Sequence, residues 1–231
     1  MTVFFLVIWL LYSLYALVRN LRGREASSMP VQAMQTVLVV LALRWAWMSG
    51  ALSRGLWSPL DIALGLVVGH LLFAFSLSVT HQHLGDVLWH ALDLRGLADF
   101  MGKAPGLCVR YLGVAAIEEL VYRVAAQDML TGLLHGPVPA IAVSAACFCL
   151  LHDHFFRNGV VSAVEFILFT LAVGVMYYYT SSLTLVVLAH WVRNVESAYL
   201  DFCAMVEDTH SEEEALRMLD ARHVSPVLES V

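Results

Sequence analysis

The sequence predicts an all-α, polytopic membrane helical bundle of about seven transmembrane helices plus an interfacial amphipathic helix. Three observations predict it. Of 231 residues, 60% are hydrophobic and only 14% are charged, whereas a soluble domain holds about 45–50% apolar and about 25% charged residues. Mean hydropathy is +0.74. Apolar runs near the ~20 residues that a helical crossing needs recur between breaks rich in Gly, Pro, Ser or charge. The net charge of −6 comes largely from the C-terminal tail, and there is no basic stripe. The lipid bilayer is therefore an expected partner and nucleic acid is not. Cys108, Cys147, Cys149 and Cys203 form no CxxC pair and read as buried free thiols.

The elements follow in order. Thr2–Val18 carries no charge and is followed by Arg19, Arg22 and Arg24. A cleavable signal peptide has its positive charge before the apolar core, so this reads as a membrane helix that stays. Val31–Leu52 is the second span, with Arg44 between Trp residues near an interface, and Ser53–Pro59 is a turn. Leu60–Thr80 is the third span; Gly65, Gly69 and Ser76 permit close packing, and His70 reads as a hydrogen-bonded packing residue. His81–Lys103 is polar but places Leu84, Leu88 and Leu92 on one face, as expected of an interfacial helix broken near Gly96. His81 and His83 resemble a metal pair, but a hydrated loop is the better account. Pro105 starts a helix to about Leu134, and Pro139–Leu151 is a short apolar helix. Val160–Thr180 and Ser182–Phe202 are the last two spans. Ser211 to Glu214 has the form of a capping box, so a short helix through about Arg222 follows. Residues 1–205 read as one membrane domain with its motif core at 105–200, and 206–231 as a soluble acidic tail. Counting Arg and Lys at the span ends puts the N-terminus outside and the C-terminus in the cytoplasm.

Three polar groups interrupt this apolar pattern. Glu118, Glu119 and Arg123 sit in a helix with no Gly or Pro between Val114 and Leu130. Ionisable groups at bilayer depth are costly and face a protein interior. On an α-helix Glu119 and Arg123 are about 40° apart and can pair, whereas Glu118 is about 140° from Arg123 and points elsewhere. A purely structural ion pair explains Glu119 and Arg123 but not the second acid. Phe148 and His152 share a helical face, with His154 as a competing histidine. His190 and Asn194 share another face and can donate hydrogen bonds into one small region. Either of these pairs alone reads as a buried packing network.

Together the segments Glu118-Glu119-Leu-Val-Tyr-Arg123, Phe148-Cys-Leu-Leu-His152 and His190-Trp-Val-Arg-Asn194 resemble the EExxxR, FxxxH and HxxxN/D motifs of the CPBP family. That family includes the CAAX prenyl endopeptidases, the bacterial Abi-type proteases and a myxosortase-like branch. The resemblance spans a third of the chain. It implies an intramembrane endopeptidase in a prokaryotic inner membrane that acts on a membrane-associated peptide or protein. Glu118 would activate water, His152 would hold that water, and His190 and Asn194 would stabilise the oxyanion. Glu119, Arg123 and Phe148 would support them. No cofactor is expected. Zinc stays open, because Glu118, His152 and His190 are also a zinc ligand set, although the local HExxH spacing is missing. The competing function is a non-enzymatic membrane protein, either a transporter or a peptide-immunity protein, that uses the same polar network. A transporter would show matched broken helices, and none are visible.

Overall fold

The computed structural model describes residues 2–22, 29–54, 58–80 and 84–224. The His81/His83 pair, parts of two expected linkers and the end of the tail lie outside the described residues. Every element among the described residues is helical. In chain order these are α1 (Thr2–Arg22), α2 (Met29–Met48), α3 (Ala51–Arg54), α4 (Pro59–Thr80), α5 (Leu84–Leu92), α6 (Leu94–Lys103) and α7 (Pro105–Glu119). A π-helical segment (Leu120–Gln127) continues α7, and then come α8 (Asp128–Leu133), α9 (Pro137–Leu151), α10 (His154–Arg157), α11 (Gly159–Thr180), α12 (Leu183–Thr209) and α13 (Glu212–Val224).

Among the described residues three helices, α1, α4 and α11, are long and apolar enough to cross a membrane, and α9 is a shorter apolar helix. They expose large apolar side chains all along their outer faces, including Phe4, Leu11 and Leu14 on α1, Leu64, Val67 and Leu71 on α4, and Val164 and Leu168 on α11. Apolar surface on this scale needs lipid to cover it. The chain is an integral membrane protein.

Two interfaces position the centre. Helix α4 lies against α12 through Gly65 and Gly69. A Cβ on Gly69 would stand 2.7 Å from the Ala189 carbonyl oxygen and 2.7 Å from the Val192 Cβ. These glycines let the backbones touch beside His190. Helix α11 is tied to the π-helical segment at two levels. Arg123 donates to Thr170 Oγ1 at 2.6 Å, and Gln127 Nε2 donates to the Gly174 carbonyl at 2.9 Å.

Three sequence expectations are corrected. The helix from Pro105 does not run as one α-helix to about Leu134, because the π-helical stretch begins directly after Glu119. The interfacial helix breaks at Asp93, three residues before the expected Gly96, because the Asp93 carboxylate accepts the Gly96 N–H at 3.0 Å and starts α6 there. The last span runs on to Thr209, beyond Phe202, so α12 crosses the expected border between membrane domain and tail. Helix α13 then folds back, burying Ala215 and Leu219 against Phe100, Phe202 and Met205. Its start matches the expected cap, with Ser211 Oγ accepting the Glu214 N–H at 3.3 Å.

Asp93 also accepts from the Tyr199 hydroxyl at 2.6 Å. The Tyr199 hydroxyl and then the Gly96 N–H hold its carboxyl below the usual Asp value of 3.8. A depressed folded-state value adds stability above the ordinary carboxylate range, and that stability is lost as the pH falls through the folded value. Asp93→Ala is expected to cost about 1 kcal/mol at neutral pH. Thermal unfolding in detergent should show the difference from wild type shrinking below about pH 4, the ordinary Asp range. In the same assay Gly69→Val should cost about 1–3 kcal/mol by overpacking. Gly102→Ala, with nothing within 4 Å of the added Cβ, should not lower the midpoint.

Candidate active site

The site is built from α7, α9 and α12, with the π-helical segment and α11 behind them. Glu118 and Glu119 are the last two residues of α7, and both are buried. Glu119 is fully enclosed. Its Oε2 accepts from Arg123 Nε at 3.2 Å, and its Oε1 accepts from His190 Nδ1 at 2.8 Å. Arg123 donates further to Ser144 Oγ at 3.4 Å and to Thr170. Its guanidinium carbon lies 5.3 Å from the centre of the Phe148 ring. Ser144 passes a hydrogen bond on to the Tyr122 carbonyl at 2.8 Å. The expected Glu119–Arg123 pair is present, and it extends into a chain that holds His190.

The geometry that sets Glu118 apart is not the one expected. Past Glu119 the backbone has π-helical hydrogen bonding, so the 140° separation from Arg123 that an unbroken α-helix would give does not apply. What leaves Glu118 uncommitted is that Arg123 and His190 are both directed to Glu119. Glu118 Oε2 is buried with no hydrogen-bond partner. Two imidazoles face this carboxylate. His152 Nε2 stands 3.7 Å from Oε1, and His190 Nε2 stands 3.7 Å from Oε2. Both distances are too long for a direct hydrogen bond and short enough for a shared water or substrate atom.

The other ring nitrogens fix the protons. His152 Nδ1 contacts the Phe148 carbonyl at 2.9 Å, and a carbonyl only accepts, so Nδ1 carries hydrogen. In the neutral ring, Nε2 then presents its lone pair towards Glu118. His190 Nδ1 likewise donates to Glu119. Phe148 is the packing hub for both rings, at 4.5 Å from His152 and 5.9 Å from His190, centre to centre. Phe169 backs His190 at 5.4 Å.

Asn194 lies one turn beyond His190 on α12, 1% exposed, and both polar atoms of its amide lack a hydrogen-bond partner. A buried amide with neither end satisfied costs free energy unless a ligand or water completes it. His154 packs on Phe166 at 4.5 Å and edge-on to the His152 ring at 5.3 Å. His70 accounts for itself by a 2.7 Å contact with Glu196. A cavity of about 30 Å³ borders Glu118 and is lined by Tyr12, Gln35, Leu38, Val121, Tyr122 and Leu151. His152, His190 and Asn194 are not among its lining residues. Glu118, His152 and His190 are the set that would be expected to hold a metal if one were bound. Among the described residues no group of three His, Cys, Asp or Glu has metal-site spacing.

Residues 101–195 match the family model described as type II CAAX prenyl endopeptidase Rce1-like. The match supports assigning this segment to the CPBP, or CAAX protease, family. All seven motif residues fall inside the match, which supports a membrane protease of the CAAX type. No curated protein and no solved structure matches the chain.

Several participants carried no motif. Ser144 and Thr170 are isolated hydroxyls in apolar helices, and only their position opposite Arg123 makes them donors or acceptors of the cluster. Arg193 pairs with Glu165 at 3.1 Å and lies 4.3 Å over the Phe169 ring that backs His190. Both Arg193 and Glu165 are charges in apolar spans, a signal legible in sequence without the pairing. Removing Arg123 strands Glu119 without its cation, and breaking such a buried pair costs about 3–5 kcal/mol. Arg123→Met should therefore give protein that is lost from membranes or melts far below wild type, measured by quantitative blotting and thermal unfolding.

Proposed function

We propose that the chain is a glutamate-dependent intramembrane endopeptidase. The observation that carries this reading is an uncommitted buried carboxylate, Glu118, with an imidazole Nε2 3.7 Å from each of its oxygens. A water between Glu118 and His152 donates one hydrogen to each of them. Its oxygen lone pair attacks the substrate carbonyl carbon as Glu118 takes the proton. The carbonyl π electrons move onto oxygen. Asn194 Nδ2, which has no partner in the resting site, and His190 Nε2 receive that oxyanion. Because His190 Nδ1 already donates to Glu119, Nε2 donates only from a ring protonated at both nitrogens. When the tetrahedral intermediate collapses, the C–N bond breaks and Glu118 returns its proton to the leaving amine. The products are one new carboxyl terminus and one new amino terminus. Glu119, Arg123 and Phe148 keep the two histidines in place.

The substrate is a membrane-associated peptide or protein, and the family suggests cleavage near a C-terminus. The proposed setting is a prokaryotic inner membrane, with about seven crossing segments, the N-terminus outside and the C-terminus cytoplasmic. The convergence of Glu118, His152 and His190 favours an enzyme over a transporter or a peptide-immunity protein, in which these side chains need not share one point.

The test is cleavage of a farnesylated peptide ending in a CAAX sequence by purified protein in liposomes. Glu118→Gln should lower the rate roughly 10²–10⁴-fold while the thermal midpoint stays at or above wild type. Asn194→Ala should lower kcat roughly 10²–10³-fold. A folded Glu118→Gln protein with undiminished cleavage would refute the assignment. The wild-type rate is expected to survive a zinc chelator, and loss of activity that zinc restores would replace the glutamate mechanism with a metal one using Glu118, His152 and His190. Comparing the termini of membrane proteins from wild-type and Glu118→Ala cells should reveal the natural substrate.

A further inference from the structure

His152 stands just where α9 stops. Its backbone is extended (φ −93°, ψ 118°), and its N–H bonds back to the Cys149 carbonyl at 3.2 Å. The direction of its ring therefore depends on where and how the helix ends. The final carbonyls of a helix have no partner within it and need one from outside. The structure supplies one from 130 residues away in sequence. Asn20, in the last turn of α1, donates from Nδ2 to the Leu150 carbonyl at 3.0 Å and to the Leu151 carbonyl at 3.2 Å. Arg19 donates from Nε to Asn20 Oδ1 at 3.0 Å and from a terminal nitrogen to the Leu151 carbonyl at 3.4 Å.

This arrangement is more specific than general packing. The amide oxygen of Asn20 is occupied by Arg19, so its orientation is fixed and both N–H bonds face α9. Asn20 continues the buried stripe of α1 that runs through Phe5, Trp9, Tyr12, Ser13 and Ala16. An apolar residue would continue that stripe equally well. The polar choice is needed only because two helix-end carbonyls lie opposite it. Asn20 also lies far outside the family match at 101–195.

We infer that Asn20, oriented by Arg19, is a positioning residue for His152, so that α1 sets the water-holding half of the site. The inference rests on the proposed role of His152. It touches neither the water nor Glu118 and acts through the end of α9.

Two readouts separate positioning from turnover. The first is NMR of isotope-labelled histidine in detergent, with the His152 resonance assigned by His152→Gln and the His190 resonance by His190→Gln. Asn20→Leu is expected to move or split the His152 resonance and leave that of His190 in place, and Asn20→Gln, which keeps the amide, is expected to restore it. The second is cleavage of the farnesylated CAAX peptide. There Asn20→Leu should lower kcat roughly ten- to hundredfold, with KM within about twofold and partial recovery in Asn20→Gln. If Asn20→Leu does not fold, Asn20→Ser is used, because its hydroxyl stops short of both carbonyls. A His152 resonance unchanged in the folded variant, or one that shifts no more than that of His190, overturns the inference. A kcat equal to wild type also overturns it. If the wild-type protein does not cleave the peptide, the endopeptidase reading fails with that substrate, and the resonance comparison still decides whether Asn20 places His152.

Discussion

The Glu119 carboxylate sits fully enclosed in a membrane protein and must be solvated by protein alone. Arg123 supplies one face of that solvation and His190 the other. Arg123 in turn requires acceptors, and it finds them in Ser144 on α9 and Thr170 on α11. One buried charge thus specifies the mutual positions of α7, α9, α11 and α12. Burying ions does not in itself stabilise a fold strongly. Here its consequence is register, because sliding any of the four helices leaves a charged or hydroxyl group unpaired.

The same arrangement makes Glu118 available. With Glu119 taking both the guanidinium and the imidazole Nδ1, the neighbouring acid has no hydrogen-bond partner on Oε2 and faces an Nε2 atom at 3.7 Å from each oxygen. The two glutamates are adjacent in sequence and opposite in circumstance. One is neutralised and structural. The other is buried and borders a small cavity. The π-helical segment starts at this pair, and wide turns of this kind recur at functional sites because they redirect side chains within a continuous helix.

Each histidine is likewise held at one nitrogen so that the other is free. His152 is fixed by the Phe148 carbonyl at its own helix end, and that end is closed by Asn20 and Arg19. His190 is fixed by Glu119, and its helix is seated against α4 by Gly65 and Gly69. Phe148 fills the space between the two rings. The motif side chains lie inside the matched segment, while α1 and α4, outside it, pack against the helices that carry them.

The sequence by itself determined the membrane class, the helical content, most helix boundaries within a few residues, and the seven motif side chains. Apolar run length and side-chain chemistry are local properties that need no knowledge of the fold. It also allowed the Glu119–Arg123 pair, since residues four apart on a helix are neighbours whatever surrounds them. It could not give the π-helical turn after Glu119, because hydrogen-bond register within an apolar helix is set by what packs on it. The break at Asp93 rests on a local cap, the Gly96 N–H on its carboxylate, to which α12 adds the Tyr199 hydroxyl. Tertiary structure alone assigned His190 to Glu119, brought His152 and His190 to opposite oxygens of Glu118, and joined Asn20 to the end of α9. These are contacts between groups as many as 131 residues apart, where spacing along the chain no longer reports distance in space.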